Sequence, residues 1–214
     1  MMRYSVRPDG KAVIQLMMPF HNMSDEDLVA IISYLRAQAP VRHEVPENDY
    51  TVIGKVIKSL VPLFKPRPAD AVHPPATSPP EAPTKERGEY LARYVGNCDG
   101  CHTKHDQLTF SPVVPEFSGG EEMEPAALPG ADPKEWYRSP NLTPGKGTVF
   151  SKFVDRATWI ARFKVGGRHH AGSPMPWESF SRMSDADLGA LYEFFKTLPP
   201  ADGPTGEPNF RRAE

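Results

Sequence analysis

The chain has 214 residues, with 25 Lys plus Arg against 27 Asp plus Glu, 39% hydrophobic residues, 25 prolines and two cysteines. Nearly balanced charge supplies no global field of the kind that draws nucleic acid, and two cysteines exclude a disulfide-rich scaffold. No apolar run is long enough to span a bilayer as a helix, and a proline share more than twice the usual ~5% predicts a small core surrounded by much loop.

The N-terminal stretch "MMRYSVRPDGKAV" carries no apolar h-region and no small-residue cleavage site, so it does not read as a signal peptide. It leads into "MPFHNMSDEDLVAIISYLRAQAP" from Met18, which returns later in the chain as "MPWESFSRMSDADLGALYEFFKTLPP" from Met175. Repetition on this scale points to two copies of one domain type. In each copy a serine, Ser24 or Ser184, precedes the apolar periodicity, with an aspartate three residues on, a variant of the capping box. The helices that follow carry the stripes Leu28, Ile31, Ile32, Leu35 and Leu188, Leu191, Tyr192, Phe195.

Between the copies, "TVIGKVIKSLVPLF" places Val52, Ile53, Val56, Ile57, Leu60 and Val61 on one helical face, expected to pack on a neighbouring domain. Lys55 and Lys58 bar this helix from spanning a membrane, although an amphipathic segment of this kind also suits a membrane surface. Residues 65–83 read as a proline-rich, semi-extended linker. Thr84 then caps a helix that runs into Asn97 and Cys98, residues 112–147 read mostly as loop, and two further helices are expected over 156–165 and 184–198. Sustained two-residue alternation is lacking, which predicts little or no sheet.

The chemistry concentrates in "NCDGCHTK", which holds Cys98, Cys101 and His102. A redox disulfide would need a βαβ setting that the pattern lacks. A zinc site would need four thiolate or imidazole donors. Cys98, Cys101 and either His102 or His105 supply three, leaving His169 or His170 to be recruited. Cys-x-x-Cys-His asks for less company: the cysteines reach the two vinyl groups of a haem, and the histidine behind them supplies an axial nitrogen. A soft thioether is the natural sixth ligand of an electron-transfer iron. Among the methionines Met175 is favoured, because Pro174 and Pro176 stiffen its backbone; Met183 reads as packing and Met123 sits in an acidic loop.

These residues resemble the class I c-type cytochromes, and more narrowly the multi-domain cytochrome subunits of bacterial periplasmic dehydrogenases. The resemblance runs over residues 85–200, carried by "RGEYLARYVGNCDGCHT", "FSGG" at Phe117–Gly120, "SPNLTP" at Ser139–Pro144 and the segment from Met175. It implies an all-α cytochrome fold, with Cys98 and Cys101 as thioether attachment points of one covalent haem c and His102 and Met175 as axial ligands. It further implies that Gly88 lets the first helix cross the last near Leu191 and Tyr192. A proline carbonyl, of Pro112 or Pro115, is expected to orient the His102 ring. Phe150 stands where such chains usually carry tryptophan.

The implied organisation is a cytochrome remnant without CxxCH over 1–43, with Met18 as an orphan ligand position. A linker with an amphipathic helix follows over 44–83, then a complete cytochrome domain over 84–200 and a flexible tail over 201–214. The implied function is electron transfer between a periplasmic dehydrogenase or other donor and a downstream acceptor, with no catalysis by the chain itself and no nucleic-acid partner. The setting would be periplasmic, the absent signal peptide being accounted for by truncation of the first domain. A haem sensor or peroxidase-like protein with an open iron site is the alternative. Lys104, Lys146, Lys152, Arg162, Lys164, Arg168, His169 and His170 form a candidate basic docking rim, opposed by an acidic group at Glu121, Glu122 and Glu124.

Overall fold

The computed structural model describes residues 1–15, 18–44, 46, 49–61, 64–106, 109–153, 155–204 and 207–212. Leu16 and Met17 of the front segment, and residues 205, 206, 213 and 214 of the tail, lie outside the described residues. The chain divides into two compact units, residues 1–78 and 79–214.

The first unit is built on helix α1 (Asp25–Ala37), where the Ser24 hydroxyl accepts the Asp27 N–H at 3.2 Å as the sequence predicts. Its core is slight, with Met23 and Val72 as the buried apolar side chains among the described residues. Arg3 gathers the entrance to α1, donating to the carbonyls of His21 and Met23 and pairing with Asp25 at 2.5 Å. Part of the stretch expected to be a free linker folds back here. The N–H groups of Asp25 and Glu26, which no helical carbonyl can satisfy, donate to Pro75 and Ala76, and Ser78 donates to the Glu26 carboxylate.

Helix α2 (Val52–Leu60) forms as predicted, capped by Thr51. Within this unit Val52, Ile53 and Leu60 on its apolar face are about 70% exposed or more.

The second unit contains α3 (Lys85–Tyr90), a wider π-type turn over Leu91–Val95, α4 (Cys98–His102), α5 (Arg156–Lys164), α6 (Trp177–Phe180) and α7 (Asp185–Lys196). Thr84 and Ser184 cap α3 and α7 as their sequences require, and α5 carries a full reciprocal capping box between Asp155 and Thr158. The α7 stripe is fully used: Leu188, Leu191, Tyr192 and Phe195 are all less than 8% exposed. Each such side chain contributes roughly 1.5–3 kcal/mol by leaving water. Its counterpart on α1 is not buried, and Leu35 is 60% exposed.

Helices α3 and α7 cross at Gly88. A β-carbon there would lie 1.9 Å from the Ala190 carbonyl oxygen and 2.7 Å from Phe194 Cβ, so the backbones meet where only glycine fits. The contact falls on Ala190 and Phe194, beside the expected Leu191 and Tyr192. Arg87 locks the crossing by bonding both carboxylate oxygens of Asp187, at 2.8 and 3.2 Å.

The expectation of an all-α unit is corrected by a small antiparallel sheet of β1 (Glu122–Met123), β2 (Glu135–Arg138) and β3 (Asn209–Arg211) in the order 1-2-3. Strands of two to four residues are too short to show alternation. The flexible tail is corrected at the same place. Phe210 pairs with Trp136, the Asn209 amide donates to Glu135 at 2.8 Å, and Arg138 lies 4.6 Å over the Phe210 ring.

Two expectations follow. Gly88→Ala lowers stability by about 3 kcal/mol, read as a fall in the thermal midpoint, because neither the Ala190 carbonyl nor the helix axis can give way; an unchanged midpoint would contradict the close crossing. Tyr137 donates to Glu135 at 2.6 Å. Its burial, together with that carboxylate, pushes its phenol up to about 12. A raised phenol pKa contributes stability that is complete below the ordinary value near 10 and is lost as pH rises toward 12. An alkaline ultraviolet titration therefore shows a tyrosine ionising well above the ordinary range that Tyr137→Phe removes.

Candidate functional site

Asn97 enters α4 in the left-handed region, φ 50°, and its amide packs against Gly100, where a β-carbon would come within 2.7 Å. The single turn that follows sets Cys98 and Cys101 three residues apart on one face, with His102 next in chain. Neither thiol is in a disulfide. Burial pushes the Cys98 thiol up to about 12, with the charges of Cys101 and Asp99 adding to it. Burial also raises Cys101, with Glu121 contributing. Both are held as neutral thiols at neutral pH.

His102 Nδ1 lies 2.9 Å from the Pro140 carbonyl oxygen. A carbonyl only accepts, so Nδ1 carries the proton and Nε2 keeps its lone pair. Burial, opposed by this bond and by Asp99, holds the imidazole below its ordinary pKa and so neutral. The expectation of Pro112 or Pro115 is therefore corrected: a proline carbonyl orients the ring, but it belongs to the "SPNLTP" segment. The Pro112 backbone instead bridges with His105, and the Pro115 carbonyl accepts from Ser118.

Three chain segments converge to place that carbonyl. Gly119 donates its N–H to the His102 carbonyl at 2.6 Å. With φ +77°, it lets the Ser139–Asn141 backbone approach so closely that a β-carbon would lie 2.6 Å from Pro140. Gly120 and Ser139, and Phe117 and Leu142, add further backbone hydrogen bonds between the same two segments. The buried Thr103 hydroxyl donates to Asp99 and accepts the Phe117 N–H at 2.9 Å. Asn141 reaches Ala201 with its amide and caps Thr143 with its carbonyl oxygen. Sequence reading quoted both motifs but missed the roles of Gly119 and Pro140, since nothing in a linear sequence states which carbonyl faces which ring.

Met175 is half-buried on a separate loop, two residues before α6. Its carbonyl accepts the Trp177 N–H at 2.9 Å. At the far end of α6, the Phe180 ring edge lies 3.7 Å from the β-carbon position of Gly96, and Cys98 Sγ lies 3.4 Å from the same point. The short helix behind Met175 thus borders the cysteine turn. Behind both, Phe150 stacks on Trp159 with centroids 5.6 Å apart and 9° between planes, and Trp159 donates to the Leu188 carbonyl at 3.0 Å. Met18 is half-buried in the first unit with Arg67 Nη2 3.5 Å from its carbonyl, and it has no cysteine pair of its own, because the chain's cysteines are Cys98 and Cys101.

The donor chemistry fits a haem: two neutral thiols on one turn, an imidazole with its outer nitrogen tied and its inner one open, and a thioether on a proline-stiffened loop. Zinc fits poorly. Among the described residues no three His, Cys, Asp or Glu side chains converge as metal donors.

No family model matches the chain. It is 27% identical to the cytochrome c subunit of the quinone alcohol dehydrogenase of Gluconacetobacter polyoxogenes, over 92% of this chain and 42% of that protein. The corresponding subunit of Komagataeibacter europaeus matches to the same extent. The gluconate 2-dehydrogenase cytochrome c subunit of Pantoea cypripedii is 35% identical over 51% of the chain and 22% of its own length. The chain thus spans about two-fifths of the alcohol dehydrogenase subunits that it matches. Its homologues, at modest identity, are the cytochrome c subunits of dehydrogenases.

Proposed function

We propose that residues 84–200 hold one covalent haem c and transfer single electrons between a dehydrogenase and a downstream redox protein. The observation that carries this reading is the His102–Pro140 hydrogen bond, which fixes the tautomer so that Nε2, on the histidine next to both cysteines, keeps its lone pair. When bound, the haem supplies reversible one-electron chemistry at its iron. The chain's own residues do the rest. Cys98 and Cys101 would hold the haem through thioethers, His102 would offer Nε2 to its iron, and Met175 would offer a neutral sulfur of the kind that favours the ferrous state. Phe150, Trp159 and Phe163 pack ring against ring in the same unit.

With His102 and Met175 both held to the iron, substrate would have no place there, so in this reading the chain acts as a carrier and not as the dehydrogenase itself. The homologues suggest an alcohol or sugar-acid dehydrogenase as the donor. Since thioethers of this kind form on exported chains, the reading implies the periplasm or the outer face of the inner membrane; no helix among the described residues is long and apolar enough to cross a membrane. Residues 1–43, whose Met18-Pro19 and Ser24-capped helix repeat the pattern from Met175, are in this reading the C-terminal part of a further cytochrome domain.

Much of the candidate basic rim is neutralised locally. Lys164 pairs with Asp185 at 3.1 Å, Arg168 with Glu178 at 2.8 Å, and Arg162 lies 3.8 Å over the Trp177 ring. Exposed Lys104, Lys146 and Lys152 then carry the electrostatic attraction of a weak, transient docking face.

Carbon monoxide tests the reading against an open-iron sensor or peroxidase. The reduced, haem-loaded protein is expected to bind it sluggishly, and Met175→Ala to bind it rapidly. Rapid binding by the unsubstituted protein would overturn the electron-carrier assignment.

A further inference from the structure

The loop that carries Met175 is closed at both ends by one side chain. Arg168 Nε and Nη2 bond the two carboxylate oxygens of Glu178, each at 2.8 Å, while Nη1 donates to the Ser173 carbonyl. Ser173 lies two residues before Met175 and Glu178 three residues after it, so the guanidinium bridges the two feet of "SPMPWE". The Arg168 side chain is 14% exposed, while the Glu178 carboxylate that it grips is 58% exposed. Its rigid planar fork suits a bidentate carboxylate and a third acceptor at once, a geometry that lysine cannot reproduce. Pro174 and Pro176 fix the backbone between the feet, and Arg162, stacked on Trp177, holds the adjoining first turn of α6.

We propose that Arg168 is the positioning residue for Met175, keeping its sulfur in place against outside ligands by holding both ends of the loop. The proposal rests on Met175 being an axial ligand. A tethered thioether competes with external ligands through its high effective concentration, and that concentration falls when its loop gains freedom. Arg168 touches neither iron nor porphyrin in this account; it acts only through the loop.

Imidazole titration of the ferric, haem-loaded protein tests this. Arg168→Ala is expected to bind imidazole about tenfold more tightly, the scale of losing a set of charge-assisted hydrogen bonds. Arg168→Lys and Glu178→Gln should give smaller shifts in the same direction and keep the proposal testable where the alanine variant fails to fold. In a Met175→Ala background, Arg168→Ala should change imidazole affinity no further, which a merely structural role would not predict. Unchanged affinity in all three variants, or an equal shift in the Met175→Ala background, would overturn the proposal. If the unsubstituted ferric protein lacks the red absorption band of thioether-ligated iron, the ligand assignment itself fails and the clamp falls with it. A present band with no variant effect sinks the clamp alone.

Discussion

The second unit depends on one hydrogen bond, from His102 Nδ1 to the Pro140 carbonyl. A histidine on a five-residue turn has no intrinsic reason to point one nitrogen in a fixed direction. The turn must be met by a backbone carbonyl, and that carbonyl must be held. Gly119 makes the meeting possible, because its positive φ and missing side chain let the Phe117–Gly120 and Ser139–Pro144 segments lie against each other and against His102. Much of the polar burial in this unit, at Thr103, Ser139, Asn141 and Thr143, serves that junction. Buried polar groups are tolerated only when their hydrogen bonds are made, and here the bonds that satisfy them also fix the geometry of the site.

The helices supply the other constraint. Gly88 brings α3 onto α7 at backbone contact, and α5 and the Phe150 turn close the far side with a stack of rings around Trp159. The result is a scaffold in which the cysteine turn and the methionine loop are each attached to helices. The first unit shows what the same helix looks like without such partners. Ser24 caps α1 as Ser184 caps α7, yet the α1 stripe stays partly in water.

Local signals were legible in the sequence because they are short-range. Ser24, Thr84 and Ser184 announced helix starts through a side chain that reaches three residues ahead, and the cysteine and histidine spacing declared its chemistry within five residues. Gly88 was legible through resemblance alone; its clash with Ala190 is a contact across about a hundred residues. Pro140 was hidden for the same reason. Several prolines follow His102, and their carbonyls are distinguished only by the folding of Gly119 between them. The sheet escaped because its strands are too short to alternate, and the tail escaped because its order comes from Trp136 and Glu135, far away in sequence. Arg168 read as a surface cation until its three acceptors were seen together.

The central claim is that the Cys98–His102 turn covalently holds a single haem. The most direct measurement is the intact mass of the chain matured in a host that attaches haem c, paired with a pyridine haemochrome ratio, for the unsubstituted protein and for Cys98→Ala/Cys101→Ala. The account predicts one haem per chain that survives denaturation, and none on the double variant. A folded product without covalent haem, or a haem retained after both cysteines are removed, would contradict it.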